Sequence, residues 1–214
     1  MKTVLVIGAG GFGYFAALKY TEENNEVMCI DKNEEKIAQL MGKIASVQIG
    51  DCTDIGVLES IGVNNFDIVL VAVSSDFQAS LEITSLVKDL GAGCVISVAN
   101  KNIQEKFLLR NGADMVVYPN REMARHLAVR TSTGANIFDS VELSSEYSIY
   151  EISVPESWVG KSIEKLNIRK KYHVNILGIK TNEVLLPNLE PGYVFKAEGH
   201  IVLLGTKKDI AKLV

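Results

Sequence analysis

The stretch "VLVIGAGGFG", residues 4–13, is an apolar run that breaks into four glycines. Three of them, Gly8, Gly10 and Gly13, stand in the spacing G-x-G-x-x-G. In a strand–loop–helix turn that spacing has a mechanical reading. The first glycine makes a tight turn, the second admits a pyrophosphate against bare backbone, and the third lets the helix pack closely on the strand. A helix beginning near Gly11 then aims its N–H groups and the positive end of its dipole at the phosphates. The pattern is short enough to arise by chance, so its surroundings decide.

The surroundings alternate. "TVLVIG", "EVMCI", "ASVQIG", "DIVLVAV", "CVISV" and "MVVYP" are short β-branched runs, separated by helical patterns such as residues 12–24, "NEEKIAQLM", "DIGVLESIG" and "IQEKFLLRNG". Parallel neighbours need crossover connections, and strands buried on both faces are continuously apolar. The fold class is therefore α/β, a Rossmann-type doubly wound parallel sheet over residues 1–120, followed by a small α+β domain.

After Pro119 the pattern changes. "REMARHLAVRTSTGANIF", residues 121–138, reads as a long helix with a Ser/Thr/Gly break, placing a domain boundary near Asp139. Beyond it, "YSIYEISV", "VNILGIK", "EVLLP" and "HIVLLG" are strands at hairpin-like spacing, and "GKSIEKLNI" and "KKDIAKLV" are short helices. Residues 139–214 form a unit of a size that is marginal alone, for which oligomerisation is a natural remedy.

Composition narrows the partners. With 214 residues, 47% hydrophobic and 22% charged, the chain can bury an ordinary core. A net charge of -4 without a dense Lys/Arg block argues against nucleic acid, because phosphate binding needs clustered cations. No apolar stretch approaches the roughly 20 residues needed to span a bilayer, so no direct membrane insertion is expected and the chain should be cytoplasmic. Cys29, Cys52 and Cys94 form no CxxC pair, and Cys29 and Cys94 read as small core residues. His126, His173 and His200 show no metal-ligand spacing.

An acid about 20 residues after the glycines, closing the second strand, accepts bonds from ribose hydroxyls in such folds. Asp31, at the end of "EVMCID", is so placed. Its charge repels a 2′-phosphate, which favours NAD or an adenine mononucleotide over NADP. "GDCTD", residues 50–54, follows the third strand. Asp51 there either caps the next helix or joins Cys52 and Thr53 beside adenine. The candidate site is then Gly8, Ala9, Gly10, Gly11, Phe12 and Gly13 around the phosphates, Asp31 with Lys32 at the ribose, Asp51, Cys52 and Thr53 near adenine, and Val73 with Ser74 on the cleft edge.

A dehydrogenase needs a proton donor and an orienting group on the nicotinamide side. No Tyr-x-x-x-Lys pairing or Gly-x-Ser-x-Gly setting is present, and His173 and His200 lie among strands of the small domain. The site reads as a binder without a reactor, with a small NAD-dependent oxidoreductase as the rival. A Rossmann regulator that binds DNA is disfavoured, since no helix-turn-helix or basic face accompanies the fold.

"VLVIGAGGFG", "EVMCID", "GDCTD", "QASLEITSLVKDLG" and "LLRNGADMVVYPNREMARHLA" together resemble the amino-terminal half of RCK (regulator of potassium conductance) proteins, and "YSIYEISVPESWVGKSIEKLNIRKKYHVNILGIK" resembles their carboxy-terminal domain. The resemblance covers essentially the whole chain and is nearest to the TrkA/KtrA-like gating subunits of bacterial potassium uptake systems. It implies a nucleotide-sensing regulator, not an enzyme. Such subunits form a homo- or hetero-oligomeric ring, commonly octameric, beneath a membrane-embedded potassium-translocating subunit. It also implies that residues 121–138 are a crossover helix and hinge, with Met123, Leu127, Val129, Ile137 and Phe138 in contacts between protomers. Relatives often carry Arg at Gly11, Lys or Arg at Val98 and Glu at Asn120, side chains associated with terminal phosphates and their metal. The adenine nucleotide expected here is therefore ADP, AMP or NAD(H) ahead of ATP, unless a second subunit of a mixed ring supplies the missing charges. The resemblance also raises cyclic di-AMP as a second ligand, near Arg169 and Tyr172, although a solvated helix end is the favoured reading of both.

Overall fold

The computed structural model of the chain describes residues 1–132, 137–182 and 184–213, and of Val129, Arg130 and Ser132 the backbone alone. The Thr133–Gly134 part of the expected hinge break and the Val129 side chain thus lie outside the described residues. The chain divides into two compact units, Met1–Arg121 and Glu122–Val214.

In the first unit, strands β1 (Thr3–Ile7), β2 (Glu26–Asp31), β3 (Ser46–Ile49), β4 (Ile68–Val71), β5 (Val95–Val98) and β6 (Met115–Val117) alternate with helices α1 (Gly11–Glu22), α2 (Glu34–Ala38), α3 (Ile55–Ile61), α4 (Phe77–Asp89) and α5 (Asn102–Arg110). All six strands run parallel in the order β3-β2-β1-β4-β5-β6. The continuous apolar runs have a physical cause visible in β1. Its alternate residues feed two separate cores, Leu5 and Ile7 with Ile30, Val69 and Val71 on one face, and Val4 and Val6 with Val27, Cys29 and Leu70 on the other. Leu58, Ile83 and Val87 of α3 and α4 complete the first core, and Ala17 and Ile37 of α1 and α2 the second. Helices therefore cover both faces, which is the doubly wound arrangement.

The second unit is antiparallel. Strands β7 (Ile137–Glu142), β8 (Tyr147–Ser153), β9 (Asn175–Thr181), β10 (Val184–Pro187) and β11 (His200–Thr206) pair in the order β10-β9-β11-β8-β7. Helix α6 (Pro119–Ser132) leads from the first unit into the second, and short helices α7 (Ile163–Leu166), α8 (Ile168–Tyr172) and α9 (Lys207–Ile210) accompany the sheet. Trp158, Phe195, Ile152, Ile201 and Leu203 form its fully buried centre.

Three sequence expectations change. Ile137 and Phe138 begin β7 two residues ahead of the boundary expected at Asp139, because the segment pairs with β8 as a hairpin. The helix expected over "GKSIEKLNI" is interrupted at Asn167, whose φ of +46° separates α7 from α8. Cys94, expected in the core, is half-buried, whereas Cys29 is fully buried.

Candidate functional site

Strand order reverses between β1 and β4, and open α/β sheets bind ligands in the crevice outside the strand ends at that point. A cavity of about 290 Å³ occupies it. The glycine turn forms one wall. Gly8 has φ +101°, and a Cβ there would press on the Ala72 backbone at 3.1 Å. A Cβ at Gly13 would collide with the Gly8 carbonyl oxygen, so α1 seats directly on the turn. A Cβ at Gly10 or Gly11 would meet nothing within 4 Å, which leaves bare backbone facing open space. Side chains cap α2, α3 and α4 through Asn33, Asp54 and Asp76, but among the described residues no side chain caps α1. The positive end of α1 is thus left to whatever anion approaches it.

Asp31 closes β2 with its side chain only 9% exposed. Oδ2 accepts the Ala9 N–H at 2.8 Å and lies 3.6 Å from Lys36 Nζ, while Oδ1 accepts the Asn33 N–H at 2.8 Å. The carboxylate therefore fixes the glycine turn to β2 and still borders the cavity with spare lone pairs. Across the opening, Lys32 Nζ is 3.7 Å from Asp51 Oδ2. Asp51 Oδ1 accepts the Thr53 N–H at 3.1 Å and the Thr53 hydroxyl at 2.8 Å, and these donors hold its carboxyl below the usual range. Asp51 does not cap α3. Asp54 does, accepting the Gly56 N–H at 2.9 Å, because Asp51 is already turned back onto Thr53. Cys52 is buried, and that burial, with the Asp51 and Asp31 charges, pushes its thiol up to about 12.

Of the candidate residues, Gly8, Gly10, Asp31, Lys32, Asp51, Cys52, Thr53, Val73 and Ser74 line the cavity together. Ala9, Gly11, Phe12 and Gly13 do not: Ala9 is buried and contributes its N–H to Asp31, Gly13 packs under Gly8, and Phe12 is 39% exposed on α1. Gly50 and Ser75, at the ends of the expected "GDCTD" and "VSS" segments, line it as well, and Lys36, Asp76 and Ala79 line it without having been anticipated. Asp76 had a legible signal, since an Asp ahead of an apolar-periodic helix is a cap that places the loop end. Lys36 had none, as its approach to Asp31 depends on how α2 docks.

What the arrangement can do is hold an anion and a polyhydroxyl group. Among the described residues no His or Tyr lines the cavity, and the one thiol is held protonated. No group of three or more His, Cys, Asp or Glu is placed to hold a metal among the described residues. The open backbone at Gly10, the uncapped α1 and Asp31 fit the phosphate and ribose of an adenine nucleotide.

The fold and cleft define a Rossmann-type nucleotide-binding protein with an appended small domain. Residues 4–119 match the TrkA-N domain and residues 149–214 the TrkA-C domain. Ktr system potassium uptake protein C of Bacillus subtilis (strain 168) is 36% identical over 212 residues, covering 99% of this chain and 95% of the relative. Ktr system potassium uptake protein A of the same organism is 32% identical over 211 residues, with the same coverage. The chain belongs to this RCK-type TrkA/Ktr family. The crystal structure of the GsuK RCK domain aligns with a TM-score of 0.70 at 21% identity over 100% of this chain, and a structure of the GsuK channel bound to NAD with 0.68 at 22% over 99%. This chain spans 47% and 38% of those two chains, respectively.

Proposed function

We propose that this protein is a nucleotide-sensing regulatory subunit of a potassium uptake system. It assembles into a cytoplasmic ring, octameric by family analogy, and acts on a separate membrane-embedded potassium-translocating subunit. The observation that carries the nucleotide reading is the uncapped α1 amino terminus opening onto a cleft that Asp31 borders. No helix among the described residues is long and apolar enough to cross a membrane, which agrees with a separate pore subunit. Regulation here is a population shift: the nucleotide moves the ring only by its differential affinity for two arrangements. A regulatory role is supported by the similarity, over 99% of this chain, to the Ktr system potassium uptake proteins C and A.

Val98 and Asn120 supply no cation or carboxylate for a terminal phosphate, and Gly11 supplies only backbone. Backbone donors suit a monophosphate or pyrophosphate, so the ligand is ADP, AMP or NAD(H) ahead of ATP. Calorimetric titration with ATP, ADP, AMP, NAD+ and NADH tests this. Tighter binding of ATP than of the others by this chain alone would overturn it. Reduction of a common ketone by bound NADH would instead favour the oxidoreductase rival.

A further inference from the structure

Two asparagine amides that the nucleotide reading leaves unused tie the lip of the cleft to the start of α6. Ser74 lines the cavity beyond β4, and its carbonyl accepts the Asn100 side-chain N–H at 2.8 Å. A carbonyl only accepts, so the Asn100 amide nitrogen must face Ser74 and its Oδ1 must face away. That oxygen accepts from Asn120 Nδ2 at 3.4 Å, and Asn120 is the second residue of α6. The span has a fixed base, because Gln104 Oε1 accepts the backbone N–H groups of Asn100 at 2.7 Å and Lys101 at 3.0 Å. Next to Asn120, Arg121 stacks on Tyr118 at 3.6 Å and donates to Asn102 Oδ1 at 3.1 Å.

We propose that Asn100 is a positioning residue that couples occupation of the cleft, through the Ser74 carbonyl and Asn120, to the first turn of α6. The proposal rests on the reading of the cleft as a nucleotide site. Asn100 does not itself line the cavity, so its removal leaves the ligand's own contacts in place. A ligand that favours one position of the Ser74 carbonyl favours one position of Asn120, and linkage makes the converse true. The direction of each bond matters: Asn120→Asp would set an acceptor against the Asn100 oxygen and break the second link while keeping the side chain's shape.

Hydrogen exchange at residues 121–125 of the full chain, with and without NAD+ and separately AMP, tests the coupling once calorimetry has established binding. The wild type is expected to show a ligand-dependent change in exchange there. Asn100→Ala is expected to bind within about threefold of the wild type, as for loss of an exposed neutral hydrogen bond, and to lose that change. Asn120→Ala, which alters only an exposed side chain, is expected to do the same and guards against a disturbed β5 loop in the first variant. A ligand-dependent change that persists in both variants overturns the proposal, as does its absence in a wild type that binds. If no nucleotide binds at all, the nucleotide reading fails and the coupling with it. Binding without coupling overturns the coupling alone.

Discussion

A methyl group at Gly13 would meet the Gly8 carbonyl oxygen, whereas one at Gly11 would meet nothing. Two opposite predictions follow for residues only two apart. Gly13→Ala gains about 1 kcal/mol of helix propensity, but the neighbour is backbone and cannot yield. The overpacking cost of about 1–3 kcal/mol then prevails, and binding falls as the turn moves. Urea unfolding should show a lower midpoint, and an unchanged one would mean that α1 does not sit on the turn as described. Gly11→Arg should leave stability within about 0.5 kcal/mol and raise ATP affinity relative to AMP by about tenfold or more, as expected of one added charge-assisted bond. Calorimetry that finds the ratio unmoved would separate position 11 from phosphate reading. At this scale the sequence was most readable where backbone sterics dictate the residue, as at Gly8 and Gly13. It was least readable where two chemically alike residues compete. "GDCTD" offers Asp51 and Asp54, and only the turn taken after β3 determines that Asp54 caps the helix.

Among elements, the small unit's sheet carries a charged cluster that no pattern announced. Glu151 on β8 meets His200 Nδ1 on β11 at 2.6 Å and Lys180 Nζ on β9 at 3.1 Å, and Phe138 of β7 stacks on the His200 ring at 3.7 Å. Burial alone would raise the Glu151 carboxyl, but these two partners outweigh it and hold the group below its ordinary 4.5. A depressed folded value means the stabilisation is present above the unfolded value and is lost as pH falls through the folded one. Acidification below about pH 4.5 should therefore weaken this unit, while Glu151→Gln should flatten that acid limb and cost about 1–3 kcal/mol at neutral pH. Trp158, the one tryptophan and fully buried in this unit, reports the unfolding by fluorescence. An acid limb of equal slope in the variant would remove Glu151 as its source. The strands that form this cluster were legible apart from β7. "IFDSVE" has only one fully buried residue, Ile137, so an edge strand left no alternation to read. The central parallel strands β1, β4 and β5 were legible because both of their faces are buried.

For the whole molecule, the question is which surface of α6 serves assembly. The resemblance gathered Met123, Leu127, Ile137 and Phe138 into one contact region, but the structure separates them. Ile137 is 5% exposed and belongs to the core of the small unit, so Ile137→Asp would unfold that unit and report nothing about the ring. Met123 and Leu127, by contrast, are 68% and 59% exposed on one helix, four residues apart and so on one face. Large apolar side chains paired on a helix surface are candidates for burial against another chain. Leu127→Asp should accordingly change the folding stability of either unit by less than about 0.5 kcal/mol while lowering the assembled mass in light scattering to dimers or monomers. In the proposed ring a nucleotide signal passes only while protomers stay in contact, so the same variant should keep its nucleotide affinity and lose its effect on potassium uptake. A variant that retains full mass would place the assembly contact away from this face of α6, whatever becomes of the nucleotide site.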